Sequence, residues 1–247
     1  MNFSPETSID FERLVKSHGY DFLDFGCSKG ASLEWACKVL GGFKGLGIDI
    51  DSRKVELTVS KGFDACEFDI LQIPDIKQVD FVVLSHILEH IPDRSIAMKI
   101  VQKACQISKK FVFIKQPFFD FDSFLLKHGL KMFYSDWKGH PNSMTSFDFF
   151  KLMRDLKASA TLDEFIICGK KKVSSSADPA IHSLSSSRDR HFYDEKIDPP
   201  KDDSVLFKDP LFQEIVVIAT MPGGSDGLDT LASAYGVNQV IFDSRSI

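Results

Sequence analysis

The segment LDFGCSKGASL, residues 23–33, joins an apolar stretch to an amphipathic one through a turn that contains two glycines. The residues before Gly26 have the composition of a buried strand, and the residues from Ala31 onward have the spacing of a helix. Gly26 and Gly30 lie where the backbone turns sharply, and glycine permits both the turn and the close approach of a ligand. We therefore interpret the segment as a strand–loop–helix unit with a candidate ligand-binding loop. A tight turn without a ligand is the alternative.

The same alternation of strands and helices continues along the chain. Predicted strands cover 21–25, 45–50, 65–68, 80–84, 111–114, 165–168 and 214–219, and predicted helices cover 31–40, 52–62, 95–107 and 147–157. The strand at 80–84 is apolar on both faces, which is typical of a parallel sheet covered by helices. The sequence therefore predicts an α/β fold: a doubly wound, Rossmann-like, mostly parallel seven-stranded sheet with helices on both faces.

Changes in composition and in hydrophobic periodicity along the chain predict four parts of one domain. Residues 1–19 form an N-terminal helix that Ser4 and Pro5 begin and Gly19 ends, and residues 20–169 form the core. Residues 170–212 are rich in serine and lysine with little periodicity, and are interpreted as an insertion, either a lid or a disordered loop. Residues 213–247 hold the last core strand and a tail with a turn, a short helix and an edge strand.

The composition excludes several classes of protein. A formal net charge of -5 gives no broad positive field to collect phosphates, so no nucleic-acid partner is expected. The first residues lack a basic region followed by an apolar run, and no window approaches the ~20 apolar residues that span a bilayer. We therefore expect a cytoplasmic protein with no membrane partner. The five cysteines are widely spaced in apolar segments, which favours packed thiols, and no metal site is predicted.

A second candidate ligand contact ends the predicted strand 45–50. Asp49 follows Gly30 by 19 positions, the distance at which a carboxylate accepts hydrogen bonds from both hydroxyls of a ribose. Such charge-assisted bonds stabilise a complex by roughly 1.5–3 kcal/mol each. Capping of the next helix by Asp51 or Ser52 accounts for one of the two aspartates and leaves Asp49 for a ligand.

These features resemble the class I S-adenosylmethionine (SAM)-dependent methyltransferases. Asp24 to Gly30 resemble their first motif, acidic-x-Gly-x-Gly-x-Gly, with Ser28 in the place of the middle glycine. Residues 79–93, VDFVVLSHILEHIPD, are similar to the fourth-strand region of the small-molecule methyltransferases labelled type 11 or type 12. The resemblance extends from about residue 20 to residue 116, and it implies SAM as the cofactor.

The resemblance also implies roles for individual residues. Asp24 would hold the methionine amino group, Asp49 the ribose, and Asp69 the adenine amino group, with Ile70 lining the base pocket. An exposed loop aspartate is the alternative for Asp69. The full set of implied cofactor-binding residues is Asp24, Gly26, Cys27, Ser28, Gly30, Asp49, Ile50, Asp69, Ile70, Ser85 and His86.

The catalytic residues are sought after the fourth and fifth strands. The sulfonium already activates the methyl group, so the protein has to align an acceptor and exclude water, and a hydroxyl acceptor also needs a general base. His140, in the polar and aromatic run WKGHPN at 137–142, is the predicted base, and His86 is predicted to contact the cofactor and to take part in catalysis. Glu89 and His90 are interpreted as the start of a helix, and a structural role is the alternative for each histidine.

The predicted function is methyl transfer from SAM to a hydroxyl of a small-molecule or sugar-containing acceptor, such as a glycan precursor, with transfer to a nitrogen as the alternative. A non-catalytic subunit with the methyltransferase fold is the main alternative, because Ser28 departs from the motif. The spacing of Gly26 and Gly30 argues against a dinucleotide-dependent oxidoreductase. Base methylation is disfavoured because residues 85–88, SHIL, replace the Asn/Asp-Pro-Pro-Tyr motif after the fourth strand. The aromatic residues at 117–137 are expected either to line an acceptor pocket or to cover the sheet.

Overall fold

An eight-stranded sheet with helices on both faces organises the computed structural model, which describes residues 10–75, 77–191, 193–224, 227–237 and 239–246. The strands are β1 (Phe22–Phe25), β2 (Gly45–Asp49), β3 (Asp64–Glu67), β4 (Val79–Ser85), β5 (Ser108–Pro117), β6 (Leu130–Met132), β7 (Phe165–Ser175), β8 (Ile181–Ser183), β9 (Leu206–Thr220) and β10 (Gln239–Asp243). The helices are α1 (Phe11–His18), α2 (Ala31–Val39), α3 (Ser52–Ser60), α4 (Arg94–Ile107), α5 (Asp122–Lys127), α6 (Ser146–Ala158) and α7 (Leu228–Tyr235).

The strand order confirms the predicted fold class and corrects the number of strands. The order is β3-β2-β1-β4-β5-β9-β7-β10, and the five strands from β3 to β5 are parallel. β9 runs antiparallel to both β5 and β7. The prediction of seven strands is wrong by one, because β10 pairs antiparallel with β7 and covers what would otherwise be an exposed edge.

Six of the seven described helices pack on the sheet, three on each face. The apolar sides of α1, α4 and α6 pack on one face, and those of α2, α3 and α7 pack on the other. Asp10 caps α1 by accepting a hydrogen bond from the Arg13 backbone, whereas Ser4 and Pro5, the predicted start of this helix, lie outside the described residues. Asp51, rather than Ser52, is the cap of α3. No described helix combines the length and the apolar character that crossing a bilayer requires.

The stretch at 170–212 contains more regular structure than its sequence indicates. β7 continues through it to Ser175, and β9 begins at Leu206, so both of its ends are strands. Between them β8 pairs antiparallel with β6. A third apolar cluster joins these elements to α5, with Leu125, Met132 and Ile181 among its buried members. We refer to residues 118–145 and 170–212 together as the cap region, which lies beyond the carboxyl end of β5.

Phe113 provides a test of how the two layers are held together. Its buried side chain on β5 packs against Trp35 of α2 and Tyr235 of α7, with ring centroids 5.0 Å away in both cases. Phe113→Ala should lower the free energy of unfolding by about 3–5 kcal/mol, because it leaves a cavity in a closely packed layer. Urea denaturation followed by circular dichroism measures this loss. Phe43→Ala, at a side chain that is 93% exposed, is the matched control, and equal losses in both variants would contradict the packing.

Candidate active site

The loop after β1 turns by means of three residues with left-handed backbone angles. Gly26, Ser28 and Gly30 have φ values of 71°, 50° and 79°. The backbone N–H groups of Gly26 and Cys27 both donate to Ile48 O, at 2.8 and 3.1 Å, so the loop is fastened to β2. A Cβ at Gly26 would lie 2.5 Å from the side chain of Ile87, so only glycine fits. Ser28 adopts an angle that glycine adopts more easily, which explains why the motif has a glycine at this position.

Asp49 holds this loop at the carboxyl end of β2. Its Oδ2 accepts the backbone N–H of Ser28 at 3.0 Å, and its Oδ1 accepts that of Asp51 at 3.0 Å. The side chain is largely buried, with 7% exposure. Because each carboxylate oxygen has two acceptor positions, both oxygens can still accept a hydrogen bond from a ligand.

Asp24 is a completely buried carboxylate with one oxygen left without a partner. Its Oδ2 accepts a hydrogen bond from Ser32 Oγ at 2.5 Å, whereas Oδ1 has no hydrogen-bond partner in the described part of the chain. Burial raises the pKa of Asp24 to about 7, with a further increase from the charge of Asp49, although the bond from Ser32 opposes the rise. A buried acceptor without a donor is costly, and an ammonium group would satisfy it. The residues at this loop therefore fit the amino-acid portion of SAM.

The other implied cofactor residues differ in where their side chains lie. The side chains of Cys27 and Ile70 are buried in the two main apolar clusters, so only their backbones remain available to a ligand. Asp69 is exposed and accepts the backbone N–H of Leu71 at 2.9 Å, which is the capping role that a loop aspartate commonly has. Ile50 is 73% exposed just after β2. The roles of these residues toward a cofactor stay predictions.

A cavity of about 360 Å³ lies at the carboxyl ends of β4 and β5. Leu84 near the end of β4 is in register with Phe25 at the end of β1, so the cavity and the loop share one edge of the sheet. His86 and His140, predicted to be catalytic, both line the cavity. The lining also includes Glu89, His90, Trp137 and Glu214.

His86 is held between two carboxylates. Its backbone is left-handed, with φ of 54°. Nδ1 lies 3.1 Å from Glu89 Oε1, and Nε2 lies 3.8 Å from Glu214 Oε1. Burial lowers the pKa of His86, but the two nearby carboxylates, of Glu214 and Glu89, outweigh burial and raise the pKa above its ordinary value. His86 lines the cavity, and its role toward a cofactor or an acceptor stays a prediction.

Glu214 is a central residue of the cavity that the sequence analysis did not single out. Its Oε1 accepts a hydrogen bond from Lys171 Nζ at 2.7 Å, and its Oε2 accepts one from Tyr235 Oη at 3.1 Å. Burial alone would raise its pKa, but the nearby His86 ring and the hydrogen bond from Lys171 bring it down to about 2. The available signal was a single carboxylate at the start of the apolar strand 214–219. Lys171 was hidden in the stretch interpreted as an insertion.

His140 lies on a loop that is fastened to the short helical turn after β4. The His140 Nδ1 is 3.2 Å from Tyr134 O. Asn142 donates its backbone N–H to Glu89 O at 3.2 Å and its side-chain amide to Leu88 O at 3.1 Å. Burial lowers the pKa of His140, so the ring is neutral near pH 7. Because a carbonyl only accepts, Nδ1 carries the proton and Nε2 has a lone pair.

Some aromatic residues of the segment 117–137 line the cavity, and others are buried in apolar clusters. Phe133, Tyr134 and Trp137 line the cavity, as expected for an acceptor wall. Phe118 and Phe119 are instead buried in apolar clusters, where they cover the sheet. The cavity is therefore aromatic on the side of the cap region and charged on the side of the sheet.

Comparison with known protein families assigns the chain. A family model described as "Methyltransferase domain" matches residues 8–156, a range that includes the loop after β1 and all five parallel strands of the sheet. The chain belongs to the methyltransferase domain family. This assignment confirms the predicted class I SAM-dependent methyltransferase, and with it SAM as the cofactor.

Solved structures similar to this methyltransferase support the fold. A SAM-dependent methyltransferase from Archaeoglobus fulgidus has 19% identity and a TM-score of 0.55, over 84% of this chain and 91% of that one. A putative methyltransferase from Bacillus halodurans has 11% identity and a TM-score of 0.54, over 85% and 97% of the two chains. At these identities the likeness concerns the fold alone. A search of the curated proteins finds no significant match.

The raised pKa of Asp24 predicts that the free energy of unfolding of this methyltransferase falls as the Asp24 carboxyl loses its proton. Asp24 is protonated below about pH 7 in the folded chain, but only below about pH 4 when unfolded, so its contribution to stability is lost as the pH rises between these values. Asp24→Asn stays neutral and is not affected in this way. Its free energy of unfolding, relative to that of the wild type, should therefore rise by roughly 2–3 kcal/mol from pH 5 to pH 8.

Urea denaturation at the two pH values measures this difference. Asp163→Asn, at an exposed aspartate, is the control and should change stability little at either pH. If the free energies of unfolding of Asp24→Asn and the wild type differ by the same amount at both pH values, the pKa of Asp24 is not raised in the folded chain.

Proposed function

We propose that this methyltransferase transfers the methyl group of SAM to a hydroxyl of a small-molecule or sugar-containing acceptor that enters the cavity between His86 and His140. The observation that carries the proposal is the edge of the sheet that two features share. An unpaired buried carboxylate oxygen of Asp24 lies near the carboxyl end of β1, and the cavity lies after the neighbouring β4. In open α/β sheets, ligands bind in the crevice at the carboxyl ends of the strands.

The loop residues divide the work of holding the cofactor. Asp24 Oδ1 would accept hydrogen bonds from the methionine ammonium group, and the two oxygens of Asp49 would each accept one from a ribose hydroxyl. Gly26 and Gly30 keep the backbone free of side chains where it has to pass close to the ligand. When bound, SAM supplies a methyl group already activated by the sulfonium.

The cavity favours a small acceptor. A volume of about 360 Å³ lies at the lower end of the range for pockets that bind drug-sized molecules. Trp137 and Tyr134 cover one side, where they would exclude water and stack on a ring of the acceptor. The formal net charge of -5 argues against a long nucleic acid as the acceptor. A hydroxylated metabolite or a single sugar unit fits these limits.

Cofactor binding can be tested at the end of β2. Asp49→Ala should weaken binding of S-adenosylhomocysteine by at least about 100-fold, because two charge-assisted hydrogen bonds of roughly 1.5–3 kcal/mol each are lost. Isothermal titration calorimetry measures the affinity. Asp51→Ala is the matched control two positions away, since Asp51 caps α3 and should keep the wild-type affinity. Retained affinity in Asp49→Ala would remove this carboxylate from the cofactor site.

Acceptor chemistry can be tested in the cavity. A panel of hydroxylated acceptors is assayed for S-adenosylhomocysteine release, and turnover of at least one acceptor distinguishes an enzyme from a non-catalytic subunit with the same fold. His140→Ala should lower kcat by about 100-fold or more while the affinity for S-adenosylhomocysteine stays close to the wild-type value. His128→Ala, at an exposed histidine outside the cavity, is the control. An unaltered kcat in His140→Ala would exclude His140 from the transfer step.

A further inference from the structure

Three potential metal ligands converge at the cavity after β4. Glu89 and His90 belong to the short helical turn Leu88–His90, and His140 belongs to the loop that packs on this turn. Each residue offers one ligand atom, and the three atoms all lie within 4.8 Å of one another. A single ion can therefore reach all three residues after small side-chain adjustments.

The hydrogen bonds at this cluster leave one lone pair on each ring for a ligand. His90 Nδ1 is 2.7 Å from Gly139 O, and His140 Nδ1 is 3.2 Å from Tyr134 O. Both carbonyls require a proton on Nδ1, which leaves Nε2 of each ring as a neutral donor of an electron pair. A hydrogen bond from the second ring nitrogen to a carbonyl is the arrangement that orients metal-binding histidines.

The carboxylate of Glu89 has an oxygen whose partner is missing. Its side chain is 1% exposed, and Oε2 has no hydrogen-bond partner among the described residues. The neighbouring Oε1 lies 3.1 Å from His86 Nδ1, so the bond to His86 accounts for only half of the carboxylate. An uncompensated acceptor this deeply buried is expensive, and a cation at Oε2 would offset the cost.

The cluster is also rigid before any ion binds. Asn142 donates two hydrogen bonds to the turn, at Glu89 O and Leu88 O, and His90 bonds the same loop through Gly139 O. Three hydrogen bonds therefore fix the loop of His140 against the turn of Glu89 and His90. The folded chain thus already restricts the motion of the three metal-binding side chains, so that an ion binds with a smaller loss of conformational entropy.

We propose that Glu89, His90 and His140 bind one divalent transition-metal ion that holds an oxygen of the methyl acceptor. Two imidazoles and one carboxylate suit Zn²⁺, Co²⁺, Mn²⁺ and Fe²⁺. Three protein ligands leave at least one coordination position open toward the cavity. The inference rests on the proposed function and deepens it, since it narrows the acceptor to molecules with an oxygen that can coordinate a metal. It also assigns the lone pair of His140 to the metal, in place of the proton-accepting role expected from the sequence. The metal would lower the pKa of the coordinated hydroxyl, so that its proton passes to solvent and the oxygen takes the methyl group as S-adenosylhomocysteine leaves.

Cobalt binding gives a direct readout of the site. EDTA-treated protein is titrated with Co²⁺ and followed by visible absorption, with one equivalent and ligand-field bands of a nitrogen-containing site expected. His90→Ala, at an exposed residue whose loss the fold should tolerate, should weaken Co²⁺ binding by at least about 100-fold. His128→Ala should bind as the wild type does. Absence of stoichiometric binding, or equal affinity in His90→Ala and the wild type, would overturn the proposal.

The two proposals fail in different ways. S-adenosylhomocysteine affinity is measured on the metal-free protein, where it should equal that of the untreated protein, because the cofactor loop lies outside the cluster. Methyl transfer should be lost in EDTA and restored by Zn²⁺ or Co²⁺. Transfer that persists in EDTA would overturn the metal site and leave the methyltransferase function standing. Cobalt binding without any affinity for S-adenosylhomocysteine would overturn the proposed function and leave the metal-binding site.

Discussion

The carboxylate of Asp49 is the constraint on which the arrangement of this protein depends. It accepts backbone N–H groups from the loop after β1 and from the residue that caps α3, so one side chain ties two strand-to-helix connections together. The bonds from Gly26 and Cys27 to Ile48 O close the loop against the same strand. Because β1 lies between β2 and β4, this fixed loop brings the cofactor residues next to the turn that carries His86 and Glu89. The two halves of the site are therefore placed by the sheet itself.

The parallel half of the fold was predictable because its strands are short, local and apolar. β4, for example, is apolar on both faces, and the helices on either side have a clear helical period. The extended β7 was not predictable in the same way. Its outer half, with exposed Lys171 and Lys172 before the buried Val173, alternates too little to indicate a strand, and it is stabilised by pairing with β9, about 40 residues later in the sequence. Non-local pairing of this kind leaves little trace in the local pattern.

In the candidate site, too, residues next to strands were predictable, whereas residues brought together by non-local pairing were not. His86 and His140 were predicted because they follow the fourth and fifth strands, and both line the cavity. Glu214 and Lys171 were missed because their ion pair joins two strands that the local sequence does not connect. Cys27 and Ile70 lie within motif segments, yet their side chains are buried in the two main apolar clusters. A motif thus locates the backbone of a site more reliably than the side chains that face the ligand.

Two of the buried polar groups that lack a hydrogen-bond partner flank the candidate site. Asp24 Oδ1 and Glu89 Oε2 are both without a partner in the described chain, one beside the cofactor loop and one beside the acceptor cavity. The most direct test is a crystal structure of the complex with S-adenosylhomocysteine. The account predicts the ribose hydroxyls on Asp49, the amino group on Asp24 Oδ1, and the sulfur directed at the cavity of His86 and His140. A ligand bound elsewhere, or a sulfur directed away from that cavity, would contradict it.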